Sequence, residues 1–215
     1  MRPLRFVHTM LFGVLVLYPC VLAAQDTTGS LADVAATAAD TEGYQPISDS
    51  ERFRWSVHST IGPKSLGVGV FSAAWRTALN NPEEYGPHWG GYAKRYGVRL
   101  AGVATGNGIE AGVGKLWGED PRYVHSIEGG TLLRIRHAAA MVFIARRRDG
   151  HRDLAYARYT AIVGNNFISN AWRPESENGV GAALTRAAVG FLGKFASNVI
   201  EEFWQDIHQK VQKRP

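Results

Sequence analysis

The chain has 215 residues, with 24 Lys and Arg against 19 Asp and Glu, a net charge of +5, and one cysteine, Cys20. That is room for one domain and a terminal extension. Because Cys20 falls in a stretch that reads as a cleaved leader, the mature chain offers no disulfide, thiol nucleophile or cysteine-based metal site.

Residues 1–24 read as a secretory signal peptide. Arg2 and Arg5 give a basic start, "MLFGVLVLYPCVLA" an apolar core, and Ala23 and Ala24 suit cleavage. The apolar run is short for a membrane anchor. Leu17-Tyr18-Pro19 ahead of Cys20 lacks the small residues that lipidation favours. Residues 25–50 carry five acidic residues, no basic ones and few large apolar ones, which predicts a disordered acidic linker. Residues 51–215 then form a single domain with 22 basic and 14 acidic residues, a net charge of +8. Such a domain, placed in the periplasm or at the outer membrane, suits an anionic membrane surface or a cell-wall polymer. Export argues against a nucleic-acid partner.

In chain order, "RWSVHSTIGPKSLGVGVFSAAWRTALNNPEEYG" predicts a helix interrupted at Gly62-Pro63 and stopped before Pro82. "HWGGYAKRYGVRLAGVATGNGIEAGVGKLWG" predicts one long glycine-rich helix or two shorter ones. "TLLRIRHAAAMVFIARRR" and "DLAYARYTAIVGNNFISNAW" predict two more, joined by "RDGHR". A polar loop from Arg173 to Asn178 leads to a last helix. There Leu184, Phe191, Phe195, Val199, Phe203, Ile207 and Val211 recur largely at four-residue steps on one face. Lys210, Lys213 and Arg214 suit its negative end. The predicted fold is all-α, a compact bundle of about five Gly/Ala-rich helices.

Glycine is abundant, 24 residues against the roughly 7% of an ordinary chain. Gly86 and Gly90, Gly102 and Gly106, Gly108 and Gly112, and Gly114 and Gly118 are each four apart, on one helical face. Such Gly-x-x-x-Gly faces let helices approach closely, within the chain or in an oligomer. The six tryptophans fall near helix ends, as interfacial anchors would. No segment beyond the leader has 18 uncharged apolar residues. An outer-membrane β-barrel is the alternative fold, with strands meeting at Asp149-Gly150. Against it, "HAAAMVFIA" does not alternate, and the chain ends on "QKVQKRP" rather than an aromatic strand.

The densest polar stretch is "GEDPRYVHSIEGG", residues 118–130. Asp120 with His125 would make a base and its orienter, and Arg122 and Glu110 complete the set of candidate catalytic residues. The competing reading is a structural loop opened by the Asp120-Pro121 turn. "GNGIEAGVGKL" has Ile109 and Leu116 where a phosphate loop needs glycine and a hydroxyl. "HRD" at 151–153 has no kinase context and reads as a helix start near Asp153. His88, His125, His137, His151 and His208 are scattered, so neither a metal site nor a cofactor is expected.

"HWGGYAKRYG" (88–97), "EDPRY" (119–123), "IVGNNFISNAWRP" (162–174) and "EFWQDI" (202–207) together resemble a family of exported bacterial proteins of unknown function. The likeness covers roughly residues 52–208 and implies one exported domain without assigning a chemistry. It directs attention to Trp89, Tyr92, Lys94, Arg95, Tyr96 and Tyr123 as candidate binding residues. The leading expectation is a non-catalytic, membrane- or wall-associated envelope protein. A hydrolase of lipid or cell-wall material is the alternative, and the barrel the second.

Overall fold

The computed structural model describes residues 44–126 and 130–212. The signal peptide, Cys20 and most of the acidic linker lie outside the described residues, as do Lys213 and Arg214.

The ordered domain begins before residue 51. Ser48 caps α1 (Asp49–Ile61) by a reciprocal pair: its hydroxyl accepts from the Glu51 amide, and the Glu51 carboxylate accepts the Ser48 amide at 2.8 Å. Gly62 ends α1 in extended backbone, and Pro63 opens α2 (Pro63–Ala78), where its missing amide costs nothing. The two helices make one kinked rod. After a 3-10 turn at Glu83–Tyr85, His88 caps α3 (Trp89–Trp117) with Nδ1 accepting from the Gly91 amide at 3.1 Å. Gly118 stops α3 in the left-handed region at φ 75°. The glycine-rich segment is therefore one 29-residue helix. It runs antiparallel to the first rod: Lys115 meets Asp49, Asn107 meets Thr60, and Arg95 reaches Thr77.

The predicted helix over 131–148 is shorter than its sequence suggests. α4 (Thr131–Phe143) ends where Ile144 turns extended, and Ile144–Arg147 is strand β2. β2 pairs antiparallel with β1 (Glu119–Asp120) on one side and β3 (Arg152–Leu154) on the other. Asp153 does not start a helix; it sits in β3 and pairs with Arg147 across the hairpin at 2.7 Å. The turn holds Gly150 at φ 83°, at the Asp149-Gly150 position where the barrel alternative placed one. The strands have only two, four and three residues, and the rest of the described chain is helix and turn. The fold is mostly α and is no barrel.

α5 (Tyr156–Ile168) and α6 (Val180–Gln212) complete six α-helices among the described residues. α6 runs antiparallel to both α4 and α5. Arg134 meets Glu202 and the Ala138 carbonyl meets Asn198; further up, Ile162 meets Gly190 and Asn166 meets Arg186.

The interior is inverted. Its buried apolar residues are eight alanines with Met141, Val142 and Ile144. The largest fully enclosed side chains include Arg158, Glu202 and Asn198. The apolar stripe expected to bury α6 is set to one side: Leu184 is exposed and Phe191, Phe195, Val199 and Phe203 are half-buried. The innermost line is instead Ala183, Ala187, Asn198 and Glu202. Small and polar residues let the helices close up, and the larger side chains are displaced outward.

Candidate functional site

Glu110 on α3 and Arg158 on α5 form a buried ion pair, Nε to Oε1 3.0 Å. Arg158 Nη1 donates to the Met141 carbonyl at 2.6 Å and to those of Val142 and Ile144 at 3.3 Å, so it also holds the α4–β2 junction. The close approach of α3 and α5 follows from small residues. Gly102 and Gly106 face Asn165, and a Cβ at Gly114 would lie 3.6 Å from Ala157 Cβ and 2.8 Å from Arg52 Nη1. Glu119 accepts the Ala157 amide at 2.9 Å at the start of α5, and burial raises its carboxyl above the ordinary value.

Asp120 is buried and spent on structure. Arg122 donates to it from its backbone amide (2.9 Å), Nε (3.0 Å) and Nη2 (2.7 Å), and the Tyr44 hydroxyl donates to Oδ2 at 3.0 Å. Arg122 Nη2 also donates to the Gln45 carbonyl, and Arg146 lies over the Tyr44 ring. "EDPRY" thereby clasps the segment leading into α1. Burial, and then the nearby Asp120 charge, push the Tyr44 hydroxyl from 10.0 up to about 12.

His125 stands apart from Asp120, with Nε2 against the Glu201 carbonyl at 3.2 Å. The base-and-orienter pairing of Asp120 with His125 is therefore not formed. Glu110 and Asp120 do line one crevice, with Glu119, Pro121 and Arg158, but it has no room for a water-sized guest. Among the described residues, no group of three or more His, Asp or Glu stands close enough to hold a metal ion.

A second cluster ties the Tyr123–Ser126 segment to α6. Glu202 Oε2 accepts the Tyr123 hydroxyl at 2.8 Å and the Ser126 amide at 3.1 Å, while Oε1 accepts Arg134 Nε at 2.9 Å. Burial of the Tyr123 hydroxyl beside this carboxylate raises its pKa. For Glu202, desolvation pushes the carboxyl up, but the Arg134 and Tyr123 bonds outweigh it and leave it lowered.

The other candidate binding residues divide by helical face. Arg95 is buried and holds the chain after α2, with Nε to the Asn81 carbonyl (3.0 Å) and Nη1 and Nη2 to those of Gly86 and Pro82 (2.7 Å each). Trp89, Tyr92 and Tyr96 form a ladder along α3, with centroids 5.8 and 6.4 Å apart. Among the described residues Trp89 is the most exposed large apolar side chain, at 85%. Lys94 is exposed on a different face of α3.

Arg158, Glu202, Arg134 and Arg52 escaped the sequence reading. The available signal was phase: Arg158 lies beside Ala157 and three residues before Ala161, and Glu202 falls in step with Ala187 and Asn198.

The outer surface is apolar on most helices. Phe53, Val57 and Ile61 line α1; Val68, Phe71, Trp75 and Leu79 continue along α2, where Phe71 and Trp75 stack at 6.5 Å. Val163 and Phe167 on α5, and Val180, Leu184, Val189, Leu192 and Ile200 on α6, are also exposed. Among the described residues no helix is long and apolar enough by itself to cross a membrane. No protein-family model, curated protein or solved structure matches the chain, so a functional reading rests on its own chemistry.

Proposed function

We propose that this is a non-catalytic protein of the cell envelope that works in association with a membrane. The observation that supports it is the inverted polarity. Charged groups pair inside the bundle, while helix after helix turns Leu, Val, Phe and Trp outward. Soluble monomers rarely leave contiguous apolar patches beyond a few hundred Å² in water. The signal-like N-terminus and the +8 domain charge point the same way, toward an anionic surface. A hydrolase reading is less supported, because Asp120, Arg122 and Glu110 are committed to structural partners and His125 lies elsewhere. The test is fractionation of cells expressing the full chain, with flotation of the purified protein on vesicles of phosphatidylethanolamine and phosphatidylglycerol. Association in both is expected. A protein that stays wholly in the soluble fraction and does not float would overturn the reading.

A further inference from the structure

Resting on that membrane reading, we propose that the bundle's partner is the acyl interior of a bilayer, contacted by an apolar belt that lies between two levels of tryptophan. The first support is distribution. The exposed apolar side chains occupy α1, α2, α4, α5 and α6, so one protein docked on one face would leave the others in water.

The second support is the position of the tryptophans. At one end Trp75 closes α2, Trp89 opens α3 and Trp172 ends the turn after α5; these ends meet through Arg95 to Asn81 and Glu84 to the Ser176 amide. At the other end lie Trp117, which closes α3, and Trp204, two residues beyond the Glu202 cluster. All five are exposed. The sixth, Trp55, is half-buried in the middle of α1, and Trp204 lies eight residues before the end of α6, so these two do not sit at helix ends as the sequence suggests. At 1.5 Å per residue, Trp89 and Trp117 are about 42 Å apart along α3. That is close to the roughly 40–45 Å of a bilayer with its headgroups, where tryptophan concentrates at both boundaries.

The third support is where the charges go. Several residues that spoil the hydropathy of α3, α5 and α6 are turned inward: Glu110 pairs with Arg158, Arg186 donates to the carbonyls of Asn166 and Glu177, and Lys194 lies within electrostatic reach of Arg158 and Glu110, while Lys94 stays exposed near the Trp89 end. The half-exposed Lys64 is paired with Glu201, next to the Glu202 cluster, at 3.1 Å and bonded to Ser197. The apolar exterior is thus a property of the assembled bundle, and no single helix shows it. Ionisable groups at membrane depth are expected to face inward and pair in this way.

The test places single cysteines in the full chain carrying Cys20→Ser: Val163→Cys and Val189→Cys on the belt, Asp149→Cys and Glu175→Cys at the ends. All four sites are exposed, so the fold should tolerate them, which circular dichroism checks. Reaction with a hydrophilic maleimide is followed on membranes opened by freezing and thawing, so that both ends are reached, and again after denaturation. The belt thiols should react at least about tenfold more slowly than the end thiols before denaturation, because apolar surroundings suppress the reacting thiolate. A bimane on Val189→Cys should also be quenched by vesicle lipids with brominated acyl chains. If the protein pellets with membranes but belt and end thiols react alike, the belt is overturned and the membrane reading stands. Protection without bromine quenching would show that a second copy covers the belt, and this too would overturn the proposal. A protein that never reaches the membrane fraction would overturn both.

Discussion

The hydroxyl of Tyr44 donates to Asp120 Oδ2 at 3.0 Å, joining residues 76 apart in sequence and tying the segment ahead of α1 to the bundle. The bond requires a protonated tyrosine. Because the folded pKa is raised from 10.0 to about 12, the contribution is fully present below pH 10 and is lost as pH rises from 10 toward 12. Thermal melts across this range should show a loss of stability that Tyr44→Phe removes. Absorbance titration at alkaline pH should show one tyrosine fewer in the late-titrating group of that variant. An unchanged alkaline profile in Tyr44→Phe would show that the clasp contributes nothing.

The Glu110–Arg158 pair is the most enclosed ion pair in the bundle. Removing one partner leaves a buried charge uncompensated, at about 3–5 kcal/mol. Glu110→Ala should approach that cost. Arg158→Leu should cost at least as much, because the Met141, Val142 and Ile144 carbonyls lose their donor as well. The double variant should be less destabilised than the sum of the singles, a coupling that denaturant titration in a double-mutant cycle reads directly. Strict additivity would mean the two charges do not interact.

How much of this was legible follows from which signals were local. The break at Gly62-Pro63 and the last helix after the 173–178 loop are written in short-range chemistry and stand as read, and of the two readings of the glycine-rich segment the structure takes the single long helix. The end of α4 is not so written: Ile144–Arg147 has no helix breaker before it and becomes a strand because Glu119 and Asp120, which pair with Arg147 and Arg146, offer an edge from far back in the sequence. The inverted interior was hidden for a related reason. Periodicity locates an apolar face but does not say whether that face looks in or out, and the α6 stripe looked like an ordinary core. In "EDPRY", the turn and the Asp120–Arg122 contact were readable, whereas Tyr44 and Glu202 as partners required the tertiary fold.

The Glu202 cluster is an acid-sensitive fastening. Its carboxyl is lowered, so its contribution is present above the ordinary glutamate range and is lost as pH falls through the folded value. Glu202→Gln should flatten the acid side of the stability profile and weaken protection of the Tyr123–Ser126 amides in hydrogen exchange. Tyr123→Phe should weaken the same amides at every pH, at about 1–3 kcal/mol for a lost bond to a charged acceptor. Equal protection in both variants and the parent would refute the fastening.

The glycines of α3 divide into two populations that one substitution tells apart. A Cβ at Gly91 would lie 2.2 Å from the Gly86 carbonyl oxygen and 2.3 Å from that of Tyr85, both backbone atoms in the turn that Arg95 holds. Gly91→Ala must therefore displace that turn and should be among the most destabilising single-methyl changes in the chain. At Gly108 and Gly112 a Cβ meets nothing within 4 Å. There alanine relieves the helix of glycine's entropy cost, and each change should add about 0.5–1 kcal/mol to stability. Melts of the three variants in detergent check both signs. A loss of stability at Gly108→Ala would show that this open face of α3 is covered by another helix in the working protein.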